Sequence, residues 1–104
     1  MAVGSVLNAA FAGGHDEVAR LLIERGADLR LKSLRGYATP PMIWSAYNDA
    51  GDPTLARLLV ERGVAVDTVN DADETSLSYA LKNGRDTELV RYLRLYLILH
   101  HTRL

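Results

Sequence analysis

The sequence predicts an all-α fold, a short solenoid in which three helix-turn-helix repeats stack side by side. The main observation is a duplication: residues 19–26 read ARLLIERG and residues 56–63 read ARLLVERG, with one Ile/Val difference. Residues 89–94 align with residues 18–23 as a third copy. Two short helices cannot bury their apolar faces alone, so a recurrence of this kind indicates units that stack on one another.

The first unit contains two helices that glycines separate and end. One helix is predicted from Ser5, as its N-cap, to Ala12, and the glycines at 13–14 end it because glycine adopts the left-handed conformation at little cost. The second helix begins at Asp16 and ends at Gly26. Three apolar residues share the face that is expected to pack on neighbouring helices: Val18, Leu21 and Leu22.

The second and third units repeat this pattern. Thr39 and Pro40 are expected to begin one helix of unit two, and Asp52 and Pro53 the other, because a capping side chain followed by proline is typical of helix starts. Residues 75–81 form the first helix of unit three. The prediction is therefore one domain, residues 1–104, with repeats at about 4–30, 31–67 and 68–104.

The composition excludes several functional classes. Twelve basic and thirteen acidic residues give a net charge of −1, so no overall charge favours nucleic acid or an anionic membrane. Cysteine is absent, which fits a reducing compartment, and we expect a cytoplasmic protein. Residues 1–14 lack the features of a secretory signal, and the apolar run near the C-terminus is too short to span a bilayer.

No motif points to catalysis, a cofactor or a metal. A phosphate-binding glycine loop, a nucleophile elbow and an H-E-x-x-H pattern are all missing. The histidines are His15, His100 and His101, and adjacent residues of a helix point in different directions. Since a zinc site needs three or four converging ligands, we predict no metal site, no cofactor and no enzymatic activity.

The repeats resemble the ankyrin-repeat family. Residues 75–84 read TSLSYALKNG, similar to the family's T-P-L-H-x-A-A-x-x-G, and residues 26–28 (GAD) and 14–15 (GH) match two further family motifs. The resemblance covers about residues 5–97. The chain departs from the family pattern where Asn8, Ile43 and Ser78 replace the histidine of T-P-L-H, where unit two has extra residues, and where unit one has no connector.

The resemblance implies a non-catalytic scaffold that binds a partner protein on its concave face, and neither nucleic acid nor a membrane. The connectors would form hairpin fingers, whose tips contact the partner together with the first helices. Carried over to this sequence, the positions in the fingers are Lys32, Leu34, Arg35, Tyr37, Val69, Asp71, Ala72 and Glu74. Those on the first helices are Tyr47, Asn48, Lys82 and Asn83, and Trp44 and Tyr79 could belong either to this surface or to the core.

The two predicted fingers carry opposite charge. The first contains Arg30, Lys32 and Arg35, and the second contains Asp67, Asp71, Asp73 and Glu74. One interpretation is that neighbouring fingers attract each other. The other is a recognition edge with a basic half and an acidic half. Exposed ion pairs contribute only ~0.2–1 kcal/mol each, so in either case the charges orient more than they stabilise.

The last helix is predicted to run on, because Leu97 aligns with the glycines that end the earlier units and residues 89–103 contain neither Gly nor Pro. Leu89, Val90 and Leu93 are expected to pack on unit two. Three apolar residues are expected to remain, spread around the other faces: Leu95, Ile98 and Leu99. A terminal repeat normally has a polar outer face, so we expect these residues to drive self-association or to pack on a segment outside this chain.

Three alternatives remain open at this stage. The extension could fold back over its own core as a cap, which removes the need for a second copy. The chain could also be a self-assembling unit or a piece of a longer repeat array. A more remote alternative is that the arginine-containing last helix binds a membrane surface.

Overall fold

The computed structural model describes residues 3–33, 38–47, 51–84 and 86–101, and this part of the chain contains six α-helices and no strand. The helices are α1 (Val3–Ala12), α2 (Asp16–Glu24), α3 (Pro41–Trp44), α4 (Thr54–Glu61), α5 (Ser76–Ala80) and α6 (Glu88–His101). A 3-10 turn, Leu81–Asn83, extends α5. The three helix pairs α1/α2, α3/α4 and α5/α6 confirm the all-α repeat fold.

Most of the predicted residues that begin or end helices do so in the structure. Gly14, Gly26 and Gly63 have positive φ angles of 74°, 90° and 90°, the conformation that glycine adopts most readily. The Oδ1 of Asp52 accepts hydrogen bonds from the backbone N and the Oγ1 of Thr54, which supports the start of α4.

The remaining helix starts are less regular than the sequence predicts. Ser5 lies inside α1 instead of capping it, and Pro41, one residue later than expected, begins α3. Thr75 forms a capping box with Ser78 at the start of α5: each side chain bonds to the other residue's backbone N–H.

The helices stack in two rows. The inner row places α3 between α1 and α5, and the outer row places α4 beside α2. Buried side chains from all three pairs form one core, which includes Leu7, Ile23, Met42, Leu59 and Leu93. Across the first two repeats, Nη1 of Arg62 donates to the carbonyl oxygen of Ile23 at 3.1 Å.

The predicted packing face of α2 is partly wrong. Ala19 and Ile23 are the buried residues of this helix, whereas Val18 and Leu21 are exposed and Leu22 is half-buried. The aligned residues of α4 are covered better, since Leu59 is buried and Leu58 is half-buried. The difference has a physical cause: α2 lies at the end of the row, and its face away from α4 has no neighbouring helix among the described residues.

Two connectors lie between the pairs. We call residues 27–40 the first finger and residues 64–75 the second finger. Each is closed by two hydrogen bonds between a polar residue just before its turn and a residue just after the turn. These residues are Ser33 and Thr39 in the first finger and Asn70 and Glu74 in the second. The division into repeats near residues 30 and 67 stays a prediction.

Helix α6 extends past Leu97 to His101, as the lack of Gly and Pro predicts. Its first turns bury Leu89, Val90 and Leu93, and the backbone N of Leu89 donates to the carbonyl oxygen of Gly51 in unit two. Further along, Tyr96 and Leu97 still pack against the core, and they lie with His100 beside residues 65–67 of the second finger.

Candidate protein-interaction surface

Three rings and a lysine form a continuous row across the inner helices. Trp44 in α3 contacts Tyr47 three residues later, with ring centroids 4.5 Å apart. Tyr47 stacks on Tyr79 of α5 at 3.9 Å and an interplanar angle of 13°. The Nζ of Lys82 lies 4.4 Å from the centre of the Tyr79 ring. We call these four residues the aromatic row.

The aromatic row follows from the repeat. Ile43 and Ser78 are equivalent positions, so Trp44 and Tyr79 are also equivalent, as are Tyr47 and Lys82. Within each repeat the two residues are three positions apart and therefore share one side of the helix and the turn that follows it. Stacking the repeats brings the second residue of one unit onto the first residue of the next, which produces the contact between Tyr47 and Tyr79.

The second finger is attached to the aromatic row through Glu74. Its Oε2 accepts a hydrogen bond from Nζ of Lys82 at 2.7 Å, and its Oε1 accepts one from Nδ2 of Asn70 at 2.9 Å. The bond from Lys82, and then that from Asn70, hold the pKa of Glu74 below its usual value of 4.5. Glu74 is therefore a carboxylate at neutral pH, and the lysine has a fixed counterion.

Asn70 organises the finger from inside, with only 3% of its surface exposed. Its Oδ1 accepts from the backbone N of Ala72 at 2.9 Å and of Glu74 at 3.0 Å. Its Nδ2 also reaches Oγ1 of Thr39 at 3.4 Å. The second finger is therefore joined to Thr39 through Asn70 and to the aromatic row through Glu74.

Burial first, and then the hydrogen bond with Tyr79, raise the pKa of Tyr47 above its usual value of 10.0. Its phenol is therefore protonated at any physiological pH. Tyr47 is also the most open of the three rings, since it is 39% exposed while Trp44 and Tyr79 are half-buried. The network thus leaves part of Tyr47 open to solvent, beside the ion pair of Lys82 and Glu74.

The tip of the second finger is open to solvent. Val69, Asp71 and Ala72 are all exposed, and Val69 is a large apolar residue that nothing in the described part of the chain buries. The turn is rigid because Asn70 holds its backbone. The structure therefore brings six predicted site residues to one region: Tyr47, Val69, Asp71, Ala72, Glu74 and Lys82.

The first finger is described only in part. Lys32 is exposed, as the prediction requires. Leu34, Arg35, Tyr37 and Asn48 lie outside the described residues, as does the side chain of Asn83, which belongs to the 3-10 turn after α5. The predicted contribution of these five residues to binding stays a prediction.

The charges of the two fingers are not paired with each other in the described part of the chain. The ion pairs found there are Arg20 with Glu17 at 3.7 Å and Lys82 with Glu74 at 2.7 Å. The backbone N of Arg30 bonds instead to the carboxylate of Asp28 in the same finger. The choice between attraction of the fingers and an outward-facing recognition edge therefore stays a prediction.

Asn70 is the residue that sequence analysis overlooked. The segment NDADE at residues 70–74 did contain a signal, because asparagine before a short polar stretch is typical of a turn in which its side chain bonds to backbone N–H groups. Its bond to Thr39 has no local signal, since the two residues are 31 positions apart.

A second surface lies on α6. Leu95, Ile98 and Leu99 are 57%, 61% and 59% exposed. Their spacing of three and four residues places them on one face, so the expectation that they spread around the helix is wrong. Beside this face, on the side nearer the core, the helix carries Tyr92, which lies under the guanidinium of Arg57, and Tyr96, whose ring stacks on His100 at 3.9 Å. The aromatic residues therefore anchor the helix, and the three apolar residues stay exposed together with Arg91 and Arg94.

The described residues contain neither a metal-binding cluster nor a membrane-spanning helix. No three His, Asp or Glu side chains converge there on a point where a metal ion could bind. Among the helices described, none has both the length and the hydropathy needed to cross a membrane.

Paired helices, fingers and matching motifs define a class of repeat protein, and the sequence comparison agrees. The profile of the family described as ankyrin repeats (3 copies) matches residues 6–98, so the chain belongs to the ankyrin-repeat family. Repeats of this family are in general protein-interaction modules and are typically without catalytic activity.

One curated relative is the Ankyrin repeat and KH domain-containing protein mask-1 of Caenorhabditis elegans. It is 34% identical over 82 residues, which is 77% of this chain and 3% of that protein. The chain therefore spans a small part of the length of this relative, and the similarity concerns the repeats.

Proposed function

We propose that the chain is a non-catalytic scaffold that binds a partner protein, in the cytoplasm, across the aromatic row and the tip of the second finger. The observation that supports this most is the row itself, in which Tyr47 is open to solvent and pre-ordered by its neighbours. Tyrosine, tryptophan and arginine are enriched among residues that dominate binding energy, because rigid aromatic side chains lose little conformational entropy on binding.

The finger tip adds a second kind of contact beside the row. Val69 supplies an exposed apolar side chain and Asp71 an exposed acid, both on a turn that Asn70 holds in place. By family resemblance, the surface continues onto Lys32, Leu34, Arg35, Tyr37, Asn48 and Asn83. A partner segment with a basic group and an apolar or aromatic side chain would complement the tip and the row together.

The test compares proteins captured from the source cell by the wild-type chain and by a variant with Val69→Glu and Asp71→Arg. Both residues are exposed, so the variant should keep its thermal stability. A matched control carries Glu24→Arg and Arg91→Glu, two exposed charges on the outer helices. We expect proteins that bind both the wild type and the control not to bind the finger variant. Each of these proteins, once purified, should show the same loss of binding. Capture of the same proteins by all three chains would contradict the proposal.

The exposed apolar face of α6 supports a second candidate function, self-association of the chain as a homo-oligomer. Leu95, Ile98 and Leu99 share one face, and full burial of such a side chain contributes ~1.5–3 kcal/mol. Light scattering over a concentration series should show a dimer that replacement of all three by Gln dissociates. Arg94→Gln on the same helix serves as the control. A wild-type chain that is monomeric at all concentrations contradicts self-association.

A further inference from the structure

A third apolar surface lies at the opposite end of the stack from α6, on the first repeat. Val6 of α1 is 37% exposed, and Val18 and Leu21 of α2 are 47% and 41% exposed. The latter two are three positions apart and therefore lie on the same face of α2. We call these three residues the N-terminal face.

The other repeats show what covers these positions. Val18 and Leu21 align with Leu55 and Leu58 of α4, and with Leu89 and Tyr92 of α6. Leu89 is buried, and the other three are half-buried and pack against the core. On the inner row, Val6 aligns with Pro41 and Ser76, both of which are buried.

In the second and third repeats, the preceding repeat lies against the side chains at these positions. The guanidinium of Arg57 in α4 lies 5.1 Å from the centre of the Tyr92 ring in α6. The equivalent arginine of the first repeat, Arg20, lines a cleft together with Leu55 of α4. At both internal boundaries, an arginine of one outer helix therefore lies near apolar positions of the next helix, in ring contact with Tyr92 at one boundary and across a cleft from Leu55 at the other.

We infer that the N-terminal face binds a further ankyrin-type helix pair, stacked in the register by which the second repeat sits on the first. Its outer helix would place an arginine beside Val18 and Leu21, as Arg57 lies beside Tyr92 of the next helix. The face continues the pattern of an interface that this chain already forms twice. A repeat that ends a stack carries polar residues at such positions.

A second copy of this chain is a poorer occupant. Its exposed end is the third repeat, where Arg94 stands at the position of Ile23 and Val60. Ile23 is 1% exposed at the boundary between the first two repeats, so this position is apolar where repeats meet. Head-to-tail stacking of two copies would bring the charge of Arg94 into that boundary, at a desolvation cost that an apolar residue does not have.

The test supplies such a helix pair by tethering it to the chain. In the fusion, a copy of residues 39–74 replaces residues 1–4, so that Ser5 follows the copied finger as Thr75 follows the original one. We expect a single cooperative thermal transition whose midpoint is at least about 5 °C above that of the unfused chain, a large shift for a domain of this size. Leu21→Arg should abolish this gain in the fusion and leave the unfused chain nearly unchanged, because Leu21 is exposed there. Glu24→Arg, on the solvent side of the same helix, is the matched control and should keep the gain.

Several results would overturn the inference. One is a fusion that unfolds in two separate steps, or whose added helices stay unfolded beside a native chain. Another is a gain that survives Leu21→Arg, or an unfused chain that Leu21→Arg destabilises as strongly as it does the fusion. A dimer of the unfused chain that Leu21→Arg dissociates, measured by light scattering, would show that a second copy covers this face instead.

Discussion

The two fingers close in the same way but are held by different polar groups. In the first, the backbone N of Ser33 donates to the carbonyl of Thr39, whose N donates back to Oγ of Ser33, both at 3.0 Å. In the second, Asn70 and Glu74 exchange the equivalent bonds at 3.2 and 3.0 Å. Asparagine has an amide donor that serine lacks, and this donor joins the second finger to Glu74 and Thr39. The comparison shows that one side-chain group connects a loop to the surface beside it.

The fingers also differ in length and in their attachment to the helices. Residues 34–38 separate the closing residues of the first finger, and residues 71–73 those of the second. The first finger is attached to α1 by Nδ2 of Asn8, which donates to the carbonyl oxygen of Leu31 at 2.7 Å. Asn8 stands where the family has histidine, and its Oδ1 is buried without a hydrogen-bond partner among the described residues. The contact of the first finger with α1 thus leaves one buried acceptor unpaired in this part of the chain.

The largest expected effect concerns the closing residues. Asn70→Ala removes hydrogen bonds to two backbone N–H groups and to two side chains, and leaves buried groups unpaired. We expect it to lower the free energy of unfolding by about 2–3 kcal/mol, whereas Ser33→Ala should lower it by about 1 kcal/mol. Urea unfolding of the two variants and the wild type measures both. Equal losses would mean that the amide of Asn70 adds nothing to the second finger.

A smaller effect is expected where each finger turns back. Ala38 and Asp73 immediately precede the returning residues and have φ angles of 53° and 58°, in the left-handed region. Ala38→Gly should raise the free energy of unfolding by up to about 1 kcal/mol because alanine is strained there. Asp73→Gly should raise it by less, since a short polar side chain tolerates this conformation better. Thermal unfolding ranks the two variants, and a larger gain at Asp73 would reverse the comparison.

The third prediction concerns pH and Glu74. Because its pKa in the folded state lies below the unfolded value of 4.5, the carboxylate stabilises the fold above that pH. This contribution is lost as the pH falls through the folded pKa. The wild type should therefore be more stable than Glu74→Gln at pH 7, and the difference should shrink below pH 4.5. Asp52, whose pKa is lowered by its bonds to Thr54, affects both proteins equally. A difference that does not change with pH would contradict the prediction.

The smallest effect is expected for charge reversal between the fingers. Lys32 and Asp71 are both exposed, and the structure shows no ion pair between the described parts of the two fingers. Lys32→Glu and Asp71→Lys should each change stability by less than about 0.5 kcal/mol, and the double variant should equal the sum. Recovery of stability in the double variant, reduced by added salt, would instead show that the fingers attract each other.

The repeat accounts for how much of the fold could be predicted from the sequence. Nearly identical segments at residues 19–26 and 56–63 must form the same helix, and the absence of Gly and Pro after Leu89 leaves nothing to end α6. The burial of individual residues was less predictable from the sequence than the helices were. Val18 and Leu21 have the pattern of core residues and are exposed, because burial depends on a neighbour as well as on the residue itself.

The candidate surface was predictable in position but not in its connections. Tyr47, Lys82 and the finger tip follow from the repeat register. The stacking of Tyr47 on Tyr79 and the network through Asn70 depend on contacts between units, which no local pattern encodes. One consequence is that Tyr47→Ala should cost some stability as well as binding, since the ring supports both Trp44 and Tyr79.

The row-like order of the helices has a consequence for the exchange of amide hydrogens with solvent. The middle repeat has a neighbour on each side and donates the hydrogen bond from Arg62 to Ile23 at one boundary, whereas the outer repeats have one neighbour each within the chain. Stability in such an array is a sum of nearest-neighbour contributions, so local opening begins at the ends. Amides of α6 beyond Leu97 should exchange first and those of α2 next. The amides of α4 should exchange only when the whole chain unfolds, so their protection would report the global free energy.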